Sequence, residues 1–222
     1  EIDLIIPSCS TVALVGASGS GKTTIANLVC GLVTPSSGEI SINNVPYDSL
    51  NISALQRSIG YVTQESAVFN GSLLENVTLW EPEPDVERIE KILEQLDLNT
   101  LGVASEDSTF VNNVVGGDGM QLSGGERQRV GIARELYRNP KLMILDEATS
   151  ALDSELELKI DELLESQRGS KTFLIIAHRL STIRNVDLIY VLDEGKVVES
   201  GGFDELVSSN GEFAQMVKIQ SF

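Results

Sequence analysis

The chain has 222 residues, 33 acidic against 16 basic side chains, and a formal net charge of −17. That length supports one domain with a substantial core, and the charge argues against a nucleic-acid or anionic-lipid surface as partner. No apolar run nears the roughly 20 residues that cross a bilayer. No signal peptide opens the chain, and Cys9 and Cys30 alone support neither a disulfide framework nor a zinc site, which fits a reducing cytosolic setting.

Ile2, Leu4 and Ile6 alternate and predict a strand over residues 1–6, with a turn at Pro7-Ser8. Thr11 to Val15 is a short apolar run, read as a buried parallel strand. It leads into Gly16-Ala17-Ser18-Gly19-Ser20-Gly21-Lys22-Thr23, which fits the phosphate-binding pattern G-x-x-x-x-G-K-[ST]. From Thr24 to Cys30 the spacing turns helical, with Ile25, Leu28 and Val29 on one face. Strand, loop and helix are the context that motif requires: glycines let backbone N–H groups wrap a polyphosphate, and the helix points its positive end at the same anion. Lys22 would reach the terminal phosphates and the Thr23 hydroxyl would ligate Mg²⁺. Pro35 to Gly38 is expected to end that helix. Asn43-Asn44 predicts a hairpin between Glu39–Ile42 and Val45. Residues 59–62 read as a strand, followed by Gln64. Residues 85–96 read as a helix with Val86, Ile89, Leu93 and Leu96 in one stripe, and residues 102–121 as loop.

Ser123 and Glu126 form S-x-x-E, a capping box for a helix running to about Tyr137. The glycines between them, Gly124 and Gly125, would bare N–H groups at a helix N-terminus, so a second anion site competes with plain capping for the Ser123 hydroxyl. Pro140 ends the helix. Leu142 to Leu145 is a buried strand ending in Asp146-Glu147. Two carboxylates there need a cation or a proton-transfer task. Asp146 would hold Mg²⁺ through water, and Glu147 would polarise the water that attacks the γ-phosphorus; a helix N-cap is the competing reading for Asp146. Residues 154–168 read as an acidic amphipathic helix, and 173–177 as a further buried strand. That strand ends in His178, either a structural histidine or a γ-phosphate contact. Strands at 188–192 and 196–199 flank Asp193-Glu194-Gly195, and residues 203–222 read as one helical segment. Alternating strands and helices predict an α/β fold with a mainly parallel sheet.

With these residues assembled, the chain resembles the nucleotide-binding domain of an ABC transporter over essentially its whole length. Residues 16–23 resemble Walker A, Gln64 the Q-loop glutamine, and Leu122 to Glu126 the signature motif. Leu142 to Glu147 resemble Walker B with its catalytic glutamate, Ser150-Ala151-Leu152-Asp153 the D-loop, and His178 the switch histidine. The resemblance implies a P-loop NTPase core, about 1–70 and 140–222, with a small antiparallel β subdomain. It also implies an inserted α-helical subdomain, about 71–139, carrying the signature. It implies ATP and Mg²⁺ as cofactors. Nucleotide contacts would run along Gly16, Ala17, Ser18, Gly19, Ser20, Gly21, Lys22, Thr23 and Thr24, and fall on Ser123, Gly124, Gly125 and Asp153. Glu147, His178 and Gln64 would be catalytic, and Thr23, Gln64 and Asp146 would serve the metal. Family members work as head-to-tail dimers, so a second nucleotide-binding domain and a transmembrane domain are the implied partners, at the cytoplasmic face of a membrane.

Ala177 to Ile183 and Val68 to Ser72 resemble the exporter branch, the latter being the segment that receives a coupling helix. Val115 to Gly119 resembles the exporter X-loop, except that Gly117 stands where the family has glutamate and Asp118 is displaced by one. No aromatic precedes Tyr47, although the family carries an adenine-stacking aromatic well before Walker A. The expectation is a fragment of a longer polypeptide whose membrane half lies upstream, with weak ATP affinity and little preference for adenine. A DNA-repair or chromosome-structure ATPase of the same superfamily is the rival reading. Compact motif spacing, absent cysteine pairs and the negative charge speak against it. A non-catalytic ATP-binding module is the other rival, opposed by Glu147, His178 and Gln64 together.

Overall fold

The computed structural model describes residues 2–101, 110–117, 119–148, 152, 154–177 and 179–220. These fall into two compact units, one of residues 1–61, 141–147 and 167–222, the other of 62–140 and 148–166.

The first unit is built on a six-stranded sheet. Its strands are β1 (Thr11–Gly16), β4 (Ile59–Val62), β7 (Leu142–Asp146), β8 (Thr172–Ile176), β9 (Leu188–Asp193) and β10 (Lys196–Gly201), in the order β10-β9-β1-β8-β7-β4. β7, β8, β1 and β9 pair in parallel, and the β9–β10 hairpin is antiparallel. The period of two along β1 explains why its run is apolar throughout. Val12 and Leu14 enter one core with Ile25, Ala26, Leu174, Ile176 and Leu192. Ala13 and Val15 enter another, on the opposite face, with Ile189, Val191, Leu206 and Phe213. Each fully buried aliphatic side chain contributes about 1.5–3 kcal/mol. α1 (Lys22–Val29) lies on the first face, and α7 (Phe203–Ser208) and α8 (Glu212–Gln220) supply the second. A two-stranded hairpin, β2 (Ser41–Ile42) with β3 (Val45–Pro46), turns through Asn43 and Asn44 at φ 50° and 63°, the left-handed pair that a tight hairpin needs. α2 (Ile52–Ser58) follows, capped by Asn51.

The second unit is mainly helical. α3 (Leu73–Thr78), α4 (Val86–Gln95) and α5 (Gly124–Arg138) pack on one another, and α6 (Ser154–Glu165) belongs to the same unit. Ile89, Leu93 and Leu96 are buried, as their spacing requires, but Val86, expected in the same stripe, is exposed on the first turn of α4. A short ribbon pairs β5 (Gly71–Ser72) with β6 (Val114–Val115).

Several expectations need correction. Residues 2–6 keep their alternation, Leu4 and Ile6 packing on the core while Ile5 is 68% exposed, yet they form no strand. The Tyr190 hydroxyl takes the place of a ladder partner, accepting from Ile5 N at 3.0 Å and donating to Ile5 O at 3.1 Å. α1 stops at Val29, because Gly31 turns left-handed at φ 64°, well before Pro35. The stretch 102–121 contains β6. α6 ends at Glu165 rather than residue 168. The last segment is two helices, broken where Asn210 adopts φ 57° and Glu199 accepts from Phe213 N.

Candidate functional site

The loop after β1 lies at the carboxyl ends of the parallel strands, where open α/β sheets hold ligands. Gly16, Gly19 and Gly21 adopt φ 148°, 81° and 104°. At Gly16 space also forbids a side chain: a Cβ there would overlap the Leu192 carbonyl oxygen of β9. Behind the loop, Gly195 N donates to Ser20 O at 3.2 Å, so the β9–β10 turn braces it. Gly21 caps α1 in the left-handed region with no side-chain cap bond, leaving the first-turn N–H groups facing outward. Ala17, Ser18, Gly19, Thr23 and Thr24 are exposed, whereas Ser20 and Lys22 are buried.

Lys22 folds back on the loop. Its Nζ donates to Gly16 O and Ala17 O at 2.9 Å each and to Ser20 Oγ at 3.4 Å. Burial pushes its pKa below the usual lysine value, opposed by the nearby charges of Glu147 and Asp146. The ammonium is thus held ready, partly stripped of water, on acceptors that a phosphate can replace.

Asp146 ends β7 and is buried, 7% exposed. Its Oδ2 accepts from Thr23 Oγ1 at 3.2 Å and from Tyr61 Oη at 3.1 Å. The sheet therefore brings together two groups 123 positions apart in the chain. Glu147 follows at φ 53°, its N–H donating to Ile176 O at 3.1 Å. A glutamate held left-handed stores about 1–3 kcal/mol of strain, and that twist turns the chain sharply out of β7. Hydroxyl and carboxylate oxygens are hard donors suited to Mg²⁺, which takes one or two protein ligands and leaves the rest to phosphate and water. Among the described residues no group of three or more His, Cys, Asp or Glu could hold a metal by itself. The donor set thus fits Mg²⁺ carried in with a polyphosphate.

In the second unit, Gln64 is exposed just past β4. The segment after it is anchored to α5. Arg134 Nε donates to Asn76 O at 2.9 Å, Arg134 Nη2 donates to Ala67 O at 3.1 Å, and the guanidinium lies 5.6 Å from the Phe69 ring centre. Buried Asn76 accepts from Phe69 N at 2.8 Å and donates to Phe69 O and Ser72 O. At the head of α5 both halves of the capping box form. Ser123 Oγ accepts from Glu126 N at 3.3 Å, and Glu126 Oε2 accepts from Ser123 N at 2.6 Å. Gly124 and Gly125 are the first helical residues, Gly124 exposed and Gly125 half-buried. Gly117 packs where a side chain would strike Asn70, a steric reason for its departure from the family's glutamate. His178, Asp153, Asp118, Ser150 and Ala151 lie outside the described residues.

The sequence reading passed over Tyr61, Asn76 and Arg134. The signal for Tyr61 was a lone hydroxyl inside an apolar strand; for the other two only the fold reveals the partners.

The comparisons with known proteins agree with this geometry. A family model described as ABC transporter matches residues 1–150. An ATP-dependent lipid A-core flippase of Cupriavidus pinatubonensis is 43% identical over 222 residues, covering 99% of this chain and 37% of that protein. ABC transporter B family member 1 of Arabidopsis thaliana is 42% identical over 219 residues, covering 98% of this chain and 17% of that protein. A solved structure of a bacterial Atm1-family ABC exporter with ATP bound superposes with a TM-score of 0.89 at 34% identity, covering 98% of this chain and 38% of that one. The chain thus spans only a minor part of the relatives it matches. Among the described residues no helix is long and apolar enough to cross a membrane. With a family model over two thirds of its length and relatives above 40% identity across nearly all of it, the chain belongs to the ABC transporter family, as its ATPase domain.

Proposed function

We propose that this domain binds and hydrolyses ATP as one of a head-to-tail pair, and that the cycle drives export of a substrate across a membrane. The observation that carries the reading is the Lys22 ammonium parked on loop carbonyls beside the Thr23–Asp146 pair. On ATP binding Lys22 exchanges those carbonyls for the terminal phosphate oxygens, and the α1 N–H groups take the others. Mg²⁺, when bound, neutralises charge on the phosphates. Thr23 and Asp146 would be the chain's contribution to holding it, and Gln64 would serve the same metal. Glu147 orients and deprotonates the attacking water, and His178 contacts the γ-phosphate. Ser123, Gly124 and Gly125 meet the nucleotide held by the other copy, together with Asp153. The names of the relatives, an exporter and a flippase, support transport as the coupled work. A transmembrane domain would receive the motion through the Arg134-anchored segment 67–72.

This reading makes triphosphate the adhesive between two acidic surfaces. In the whole protein that carries this chain, Glu147→Gln should lower hydrolysis by about 10²- to 10⁴-fold while leaving ATP binding intact. With Ser18→Cys and Ser123→Cys on separate molecules, disulfide crosslinks should then form with ATP and vanish without it. A crosslink yield that ignores ATP sinks the sandwich.

A further inference from the structure

Thr23 and Asp146 belong to the motifs, but the second hydroxyl on Asp146 does not. Tyr61 sits in β4, the strand next to β7 in the sheet, and its ring packs against the buried core cluster. Its Oη lies 3.1 Å from the same Oδ2 that accepts from Thr23 at 3.2 Å. A carboxylate is acceptor-only, so both hydroxyls must donate. Two donors fill the two lone pairs of Oδ2. Oδ1 is left as the face that can accept from metal-bound water. The direction of the Thr23 proton is fixed as well, so the lone pairs of its oxygen stay available to a cation.

The torsion that turns a carboxylate about its last bond is broad and roughly two-fold. One hydrogen bond from Thr23 leaves that rotation loose, because Thr23 is itself on the exposed first turn of α1. A second, from a ring wedged in the sheet, holds it. We propose that Tyr61 is a positioning residue for the metal: its hydroxyl holds Asp146 in the rotamer that receives Mg²⁺, without touching nucleotide itself. The inference rests on the Mg²⁺–nucleotide reading of this site and deepens it. Outer partners of this kind tune metal affinity while leaving the remaining ligand contacts unchanged.

Tyr61→Phe removes the hydroxyl and keeps the ring, so the core packing survives. The whole protein carrying this chain is saturated with a fluorescent ADP analogue and titrated with Mg²⁺, the fluorescence reporting metal arrival. The midpoint should rise about tenfold or more in Tyr61→Phe. Affinity for the same analogue in EDTA should be unchanged. In an Asp146→Ala background, adding Tyr61→Phe should shift the midpoint no further, since its route to the metal is gone. An unchanged midpoint in the single variant overturns the proposal. So does equal loss of affinity with and without metal, or a further shift in the Asp146→Ala background. A parent protein that binds the analogue with no response to Mg²⁺ overturns the underlying nucleotide-site reading, and this one with it.

Discussion

Two helices begin at the places where phosphate is expected, and they begin differently. α1 starts at Gly21, left-handed and without a side-chain cap. α5 starts at Ser123 with a complete reciprocal capping box. The first end carries no side-chain cap, and the Lys22 ammonium beside it rests on loop acceptors. The second is self-sufficient, and its own Glu126 carboxylate sits in the first turn. A hydroxyl both accepts and donates, so Ser123 can take the Glu126 N–H and still offer its proton outward. Capping and nucleotide contact are therefore compatible at Ser123, where the sequence set them in competition. The charged groups beside the two ends differ as well: the Lys22 ammonium and the Asp146 carboxylate at the first, the Glu126 carboxylate and the Arg127 guanidinium, which donates to Leu122 O, at the second. The N–H groups at the head of α1 meet no side-chain cap, whereas Glu126 already takes up the Ser123 N–H at the head of α5.

The sharpest way to break this contrast is at Gly16. A Cβ there would overlap the Leu192 carbonyl oxygen, at a φ of 148° that side chains rarely adopt. Gly16→Ala should therefore destabilise the protein by about 3 kcal/mol or more and abolish nucleotide binding together with it. Thermal melts and ADP titration read both losses. A variant that melts normally but still fails to bind would mean that the loop's shape, not its bracing by β9, is what Gly16 protects.

The comparable glycine on the other side is Gly131, in α5, where a Cβ would overlap Ser66 Oγ. Ser66 is buried on the segment that follows Gln64. Gly131→Ala should cost about 1–3 kcal/mol by overpacking and leave nucleotide binding in the loop untouched. The asymmetry between the two glycine variants is the test: lost ADP affinity in Gly131→Ala would show that the units do not act separately in binding.

How much of this was legible beforehand follows from what each signal depends on. Residues 11–30 read correctly because strand, loop and helix there are set by local sequence: the apolar run, the glycines, the 3.6 period. The end of β7 at Asp146 was legible because charge at the end of a buried apolar run marks where the strand stops. Residues 2–6 misled because alternation reports which face is buried and not whether a neighbour supplies hydrogen bonds; here a tyrosine hydroxyl does so. The break between α7 and α8 falls at Asn210-Gly211, a turn dipeptide that the helical pattern on either side masked. Arg134 was beyond reach, since its meaning comes from a partner 58 positions away, and the lone hydroxyl of Tyr61 marked the residue without showing its partner 85 positions on.

pH offers a gentler probe. Asp161, on α6 in the signature-bearing unit, is pushed up to about 6, first by burial and then by the charge of Glu157. A carboxyl raised in the fold favours folding only while protonated. Its contribution is full below about pH 4, the unfolded value, and is lost as pH rises through 6. Asp161→Asn should thus raise the melting temperature at pH 8 and leave it unchanged near pH 4. Partial exposure to water brings the expected gain down to about 1 kcal/mol. An equal gain at both pH values would assign the effect to the helix, not to the charge.

The smallest effect concerns the anion at the head of α5. Glu126→Gln preserves an acceptor for the Ser123 N–H and removes one negative charge from the first turn. Losing a carboxylate from a helix N-terminus costs about 0.3–1 kcal/mol of helix stability, so the melting temperature should fall slightly. At the same time the repulsion of an incoming triphosphate disappears. If the first turn of α5 faces nucleotide bound to another copy, the ATP concentration that gives half-maximal dimer should fall about two- to fivefold, a gain of about 0.5–1 kcal/mol. The shift should shrink at high salt, because the interaction being relieved is between charges partly open to water. A dimer that weakens along with the melt would place Glu126 in the cap alone, and the two helix ends would then differ only in how they are closed, not in what they face.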